Sequence, residues 1–448
     1  MFDWERLLSE ARPPKEVGDS VKVDNNHPSR STFEADCDRI LFSKPFRRMA
    51  RKTQVHPRSI DDHVHNRLTH SLEVASVGRT LGIMLAEYLH SRGVLPETRS
   101  KFDVASISQA ACLAHDLGNP PFGHAGEYAI RDWFKTNGRR ALGNTAAHSK
   151  TLEDWDLFEG NSQSFRLACR HDIGHTGYIR LSCASLGAMV KYPWFSSDER
   201  ASEKGKLNFF HSEEELVRLV WAELGLISSD ASLKRHPISF LTEAADDICY
   251  RVIDVEDAAL LGIMSEERAK ELFADILKAG PNPVSPDLAK PLEQLRGESI
   301  RHLIDAFWFV FEHSYDSIIA GERNKDLRAG LDPAIDLALE AIDLAYQEIF
   351  ADREKVATEL GSYKVLGKIT KAMLVLCKQI ADSETVSDVG TTSKSLAKFI
   401  WGPGFLEKHF ESKDADWWLC VSRDAVASMT DNFAHATANA IEGTRHYQ

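Results

Sequence analysis

The residues from Ala114 to Glu127 read AHDLGNPPFGHAGE, a run in which two ionisable pairs flank one sharp corner. An adjacent His115-Asp116 pair closes an apolar helical pattern built from Val104, Ile107, Ala110, Ala111 and Leu113. Gly118, Asn119, Pro120 and Pro121 then stop the helix, and a second helix is expected to restart near Gly123. On it His124 and Glu127 are three residues apart, so both side chains emerge on one face. Neutral imidazole and carboxylate bind a divalent cation, while a second histidine steadied by a glutamate handles a proton or an attacking water. A histidine at a helix C-terminus is also favoured by the helix dipole alone, so the first pair needs company before it counts as a metal site.

Two further helical segments supply that company. In HNRLTHSLEVASVGRTLG, His70 precedes an apolar stripe of Leu68, Leu72, Val74, Ala75, Val77 and Leu81. In FLTEAADDICYRVIDVEDA, Leu241, Ala244, Ala245, Ile248, Val252 and Val255 bring Asp246 or Asp247 beside a core. A carboxylate in such surroundings is rarely left unpaired, so a metal or a cationic partner is expected.

The set His70, His115-Asp116 and Asp246 resembles the ligand set of the HD-domain metallohydrolases. The surrounding text resembles their deoxynucleoside triphosphate triphosphohydrolase family, the dGTPase-like branch. The matching blocks are RSTFEADCDRILFSKPFRRMARKTQV from Arg30, DHVHNRLTHSLEVA from Asp62, HDLGNPPFGHAGE from His115, FEGNSQSFR from Phe158, KYPW from Lys191 and EAADDICYRVIDVEDA from Glu243. The resemblance implies hydrolysis of a dNTP to deoxynucleoside and inorganic triphosphate. It implies a divalent cofactor, Mg²⁺ or Mn²⁺ first, with Fe, Co, Ni and Zn as the other candidates. His124, oriented by Glu127, would act as acid or base.

The same likeness implies that Gln54 reads the deoxyribose or base edge, that Arg67 contacts phosphate, and that Asn161 and Gln163 offer amides to a base or sugar. Tyr250, one turn beyond Asp246, would meet the deoxyribose, and Asp254 shares that helix face. Lys206, in a polar stretch near the expected pocket mouth, is a candidate phosphate ligand. Each has a plainer alternative: a salt bridge for Arg67 with Asp61, Asp62 or Glu73, a helix cap for Asn161, an ordinary helix contact for Tyr250 and a surface loop for Lys206. The family also implies a homo-oligomer, a hexamer by analogy, and a nucleotide or single-stranded DNA effector. One departure is Asn119, where other enzymes of this type place a second histidine.

Bulk composition sets the frame. With 448 residues, 43% of them hydrophobic, the chain is long enough for a large core. Its net charge of −13 argues against general nucleic-acid binding, which is driven by releasing counterions to Lys and Arg. Against that background Arg39, Lys44, Arg47, Arg48, Arg51 and Lys52 form a local basic run, expected to focus a phosphorylated small molecule. Seven scattered cysteines, never spaced as C-x-x-C, indicate neither a disulfide framework nor a zinc knuckle. The N-terminus is charged and no apolar run is long enough to span a membrane, so a soluble cytoplasmic protein is expected.

The pattern is helix after helix, and the expected fold is all-α. Residues 1–29 read as an N-terminal arm, a short helix from Trp4 to Ala11 and then a loose stretch that could pack on a neighbouring subunit. Residues 30–260 read as the HD core and 261–448 as a C-terminal helical lobe packed on it. A second pair, His171-Asp172, lacks the PPFGHAGE continuation and is read as a loop or substrate-region element. Two rival functions remain: an HD-type phosphodiesterase or nuclease on another phosphoester, and a nucleotide-sensing regulatory module. The intact ligand set and the His124-Glu127 pair argue for an enzyme.

Overall fold

The computed structural model describes residues 1–448 except 16–18, 25–28, 55–63, 148, 171–178, 351–352, 412–413 and 444–448. The His171-Asp172 pair therefore lies outside the described residues. Among the described residues the chain is all-α, with isolated β-bridges and no strand.

Local chemistry fixes where the central helices begin. Asn66 caps the helix Arg67–Ser91, accepting from the backbone N–H of Leu68 and Thr69 at 3.0 and 3.2 Å. Ser100 and Asp103 form a capping box on Lys101–Ala114, and Pro237 occupies the first turn of Pro237–Leu260. Val74, Val77, Leu81 and Leu85 of the first helix are buried as their spacing predicts, whereas Leu72 is 43% exposed on the opposite side. The first two helices approach closely because Gly82 has no side chain: a Cβ there would lie 2.9 Å from the Cα of Ala105.

Buried apolar side chains fall into two clusters. One joins these three helices to Thr32–Leu41, Glu266–Lys278, Leu292–Ile319 and part of Pro333–Phe350. The other joins Gly123–Trp133 to Arg353–Asp382, Ala415–Ser428 and Asp431–Glu442. Apolar packing thus crosses residue 260 in both directions. The corner after His115-Asp116 is where the chain passes from the first cluster to the second.

The N-terminal residues begin with the expected helix, Trp4–Leu7, and it packs on this chain. Trp4, Leu7 and Leu8, spaced i, i+3, i+4, are buried against the chain's own core, and Trp4 Nε1 donates to the Tyr315 hydroxyl at 2.8 Å. Arg12 is fully buried and pairs with Asp36 at 2.5 Å. A buried guanidinium needs such a partner, and Asp36 on Thr32–Leu41 provides it.

His236 closes this junction. Its Nδ1 accepts from the backbone N–H of Ile238 at 3.1 Å, so Nε2–H donates to the Leu7 carbonyl at 2.9 Å. Burial pulls its pKa from 6.5 down to about 4. The unfolded chain therefore binds a proton that the folded one refuses, and this stability is complete above pH 6.5 and lost as pH falls toward 4. At about 1.4 kcal/mol per pH unit the loss reaches roughly 3 kcal/mol. Urea unfolding at pH 7.5 and at pH 4.5 should show this steep acid-side fall in the wild type and a shallower one in His236→Asn; equal slopes would contradict the assignment.

Candidate active site at the helical seam

Where the two apolar clusters meet lies a cavity of about 360 Å³. His70 leaves the first turn of Arg67–Ser91, His115 caps the end of Lys101–Ala114, and Asp246 stands midway along Pro237–Leu260. The Oδ1 of Asp246 lies 3.1 Å from His70 Nε2 and 3.5 Å from His115 Nε2, and one ligand atom from each of the three lies within 4.8 Å of the others. Asp116 Oδ1 is 3.6 Å from His115 Nε2, while its other oxygen accepts from Arg67 Nη1 at 2.6 Å and Asn119 donates its side-chain amide to the first. Asp247, the alternative to Asp246, turns instead to Arg251 at 3.3 Å.

The donor set fits a cation. His115 Nδ1–H donates to the Cys112 carbonyl at 2.6 Å, which leaves Nε2 facing the Asp246 carboxylate. In the neutral ring that atom is a lone pair directed at an anion, an arrangement that calls for a proton or a metal ion between them. The charges agree with this. Desolvation works against the Asp246 carboxylate, yet His115 and His70 hold its pKa well below the usual range. Desolvation likewise disfavours charged His115, but Asp116 and Asp246 raise its pKa to about 9. Two imidazoles and two carboxylates suit a hard or borderline divalent ion.

The second cluster contributes the proton-handling pair. His124 Nδ1 donates to Glu127 Oε2 at 2.9 Å, and Glu127 Oε1 accepts from the Gly160 backbone N–H at 2.8 Å. Glu127 is buried, which raises its pKa, but the bond from His124 and the charges of Lys206 and Arg131 bring it down to about 2. Gly160 is required here, because a Cβ would come within 2.7 Å of Glu127 Oε1. His124 keeps 68% of its side chain exposed, so Nε2 is free to face a ligand.

Of the sequence candidates, Gln54, Arg67, His70, His115, Asp116, His124, Glu127, Asn161, Lys206, Asp246 and Tyr250 all line this cavity. Gln54 Oε1 is buried with no partner among the described residues. Arg67 pairs with Asp116, and Glu73 turns instead to His65 at 3.0 Å, while Asp61 and Asp62 lie outside the described residues. Glu159, not Asn161, caps Gly160–Cys169, and Asn161 donates its side-chain amide to Glu159 at 3.0 Å. Lys206 reaches the same carboxylate at 2.9 Å. Tyr250 stacks on Tyr346 with centroids 4.9 Å apart.

Two candidates do not line it. Gln163 is buried on the far side of its helix, donating to Asp424 at 2.8 Å. Asp254 lies two turns beyond Asp246, about 12 Å along the helix, and is buried beside Tyr346. The basic run is also reassigned, since none of its six charges lines the cavity. Lys52 spends its charge on the carbonyls of Asn119 and Ala427, at 2.5 and 2.8 Å, and Arg39 turns to Asp24.

Sequence reasoning missed Lys191, Tyr192 and Glu159, although each falls in or beside a block it quoted. Lys191 Nζ lies 2.8 Å from Glu243 on the Asp246 helix. It also missed Asp431, the first residue of the helix Asp431–Glu442. One Asp431 oxygen accepts from Thr53 N and Oγ1 at 3.1 and 2.7 Å, and the other from Phe122 N at 3.0 Å. That bond holds Phe122 in a left-handed conformation, φ 65°, a strained state that clusters at functional sites.

The described residues contain no helix long and apolar enough to cross a membrane. The HD domain family matches residues 67–178, a span holding His70, His115, Asp116, His124 and Glu127. A Pseudomonas aeruginosa protein named deoxyguanosinetriphosphate triphosphohydrolase-like is 39% identical over 379 residues, covering 82% of this chain and 83% of its own. A Synechocystis protein of the same name is 34% identical over 446 residues, covering 96% and 97%. A Yersinia enterocolitica protein named deoxyguanosinetriphosphate triphosphohydrolase is 30% identical over 421 residues, covering 82% and 80%. Similarity of that extent, over a seam that assembles an HD donor set, places the chain in the deoxyguanosinetriphosphate triphosphohydrolase-like family of HD-domain phosphohydrolases.

Proposed function

We propose that the protein is a metal-dependent hydrolase of deoxynucleoside triphosphates, cutting between the 5′ oxygen and the α-phosphorus to release deoxynucleoside and inorganic triphosphate. The observation that carries this reading is that one cavity holds both a convergent His70, His115, Asp246 donor set, with Asp116 beside it, and the His124–Glu127 pair. These four side chains would hold the ion, Mg²⁺ or Mn²⁺ being the first candidates. When bound, it supplies Lewis-acid polarisation and a lowered water pKa.

The chain's own residues supply the rest. Glu127, ionised and anchored on Gly160, fixes the His124 ring so that Nε2 carries the mobile proton. As water adds to phosphorus and the bond to the 5′ oxygen breaks, one proton must leave the water and one must reach that oxygen. His124 serves one of these transfers. Lys191, Lys206 and Arg67 are the cavity's cationic donors suited to a triphosphate, each paired with a neighbouring carboxylate from which a phosphate oxygen would have to draw it. Tyr250, stacked on Tyr346, presents a wall suited to excluding a 2′-hydroxyl, and the Gln54 oxygen, without a partner among the described residues, is open to a donor from sugar or base.

His124→Gln should lower kcat by about a hundredfold or more while metal content per chain stays unchanged; a near-normal rate would remove His124 from the chemistry. Asp246→Asn should lose bound metal and turnover together, since the carboxylate shared by both imidazoles is gone. Chromatography of products from each of the four dNTPs, under Mg²⁺ and Mn²⁺, should yield deoxynucleoside and triphosphate. Release of a monophosphate and pyrophosphate, or cleavage of single-stranded DNA alone, would overturn the proposed bond and substrate.

A further inference from the structure

The two halves of the catalytic cavity are joined through a carboxylate that lies outside its lining. Asp431 does not face the cavity, yet Thr53 and Phe122, which its side chain holds, both do. One oxygen accepts from the backbone N–H and the hydroxyl of Thr53, and the other from the backbone N–H of Phe122. Thr53 is bridged through its backbone to Asn66, the cap of the helix that carries Arg67 and His70. Phe122 is the residue from which the helix of His124 and Glu127 starts. A single side chain therefore grips the ion-binding half and the proton-handling half at once.

Both arms of this grip end beside a side chain that the reaction uses. Phe122 (φ 65°) and Gly123 (φ 58°) are consecutive left-handed residues, and only the second is a glycine. A phenylalanine keeps that conformation only where its surroundings impose it, and the bond from Phe122 N to Asp431 does so. The turn so fixed decides where His124, two residues on, projects. On the other arm Gln54 follows Thr53 directly, and its buried Oε1 has no partner among the described residues. The backbone at Thr53 thus sets where that oxygen lies. A parallel tie supports the clasp, since Lys52 donates to the carbonyls of both Asn119 and Ala427.

We propose that Asp431 is a positioning residue for the reaction, fixing the distance between Gln54, which meets the sugar or base, and His124, which moves a proton at the bond being cut. Asp431 itself touches no reacting atom. A nucleotide spans the gap between those two side chains. An error in their separation therefore carries the 5′ oxygen away from His124 even while Gln54 is engaged, and such misplacement costs rate steeply. The ion donors stand on other helices and stay where they are. This inference rests on the hydrolase reading above: a wild type that turns over no dNTP removes that reading, whereas a variant as active as a competent wild type removes only this one.

Asp431→Asn keeps one acceptor oxygen and replaces the other with an amide, so one arm must let go. The full-length variant should hold as much metal per chain as the wild type and show faster amide hydrogen exchange at Thr53 or Phe122. Its kcat/KM for dGTP should fall about tenfold or more, with kcat lowered as well as KM raised. In a Gln54→Ala background the same substitution should cost about threefold at most, because the side chain being placed is gone; a merely structural loss would cost the same factor in both backgrounds. Thr53→Val, which removes only the hydroxyl, should show the same pattern at smaller size, and it decides the matter if Asp431→Asn does not fold. A near-normal kcat/KM, unchanged exchange at both amides, or an undiminished cost beside Gln54→Ala overturns the proposal.

Discussion

A negative charge set against an apolar helical core must be answered by positive charge close by, and Asp246 imposes that requirement on the seam. Its carboxylate lies between two imidazoles drawn from separate helices. Neither histidine reaches it unless both of those helices pack closely on the third. The close approach at Gly82, the caps at Asn66 and Ser100, and the opening Pro237 all serve that convergence. The buried polar groups around it obey the same rule: Arg67 answers Asp116, Lys206 answers Glu159 and Lys191 answers Glu243. A triphosphate entering the cavity would meet cations already held in place, so little side-chain ordering remains to be done on binding.

The division of labour follows the two apolar clusters. Donor atoms for an ion come from the first and the proton-handling pair from the second, with the GNPPFG corner joining them. The strained Phe122 backbone sits at that joint.

Much of this was legible in the sequence because it is local. The 3.6-residue apolar period marked the central helices, Gly118 to Pro121 marked where the HD helix stops, and the spacing of His124 and Glu127 placed their bond. What was not legible is long-range. Spacing cannot say which way a helix is rotated in its final packing, so Gln163 and Asp254 were put on the cavity side when each faces a neighbour fixed by tertiary contacts. The basic run misled for a related reason: charges close in sequence are dispersed by helix geometry, and Lys52 was claimed by two carbonyls, one of them 375 residues away. The N-terminal residues show the reverse, since Trp4, Leu7 and Leu8 already carried the apolar face that buries them.

The tie between Phe122 and Asp431 spans 309 positions. It therefore sets the order in which the enzyme is completed during synthesis. The cluster that carries the donor helices draws on residues as far as Tyr346, and the wall bearing Thr53 and Phe122 waits for Asp431, when almost the entire message has been translated. Until then the growing chain has no finished chamber around its imidazole and carboxylate donors.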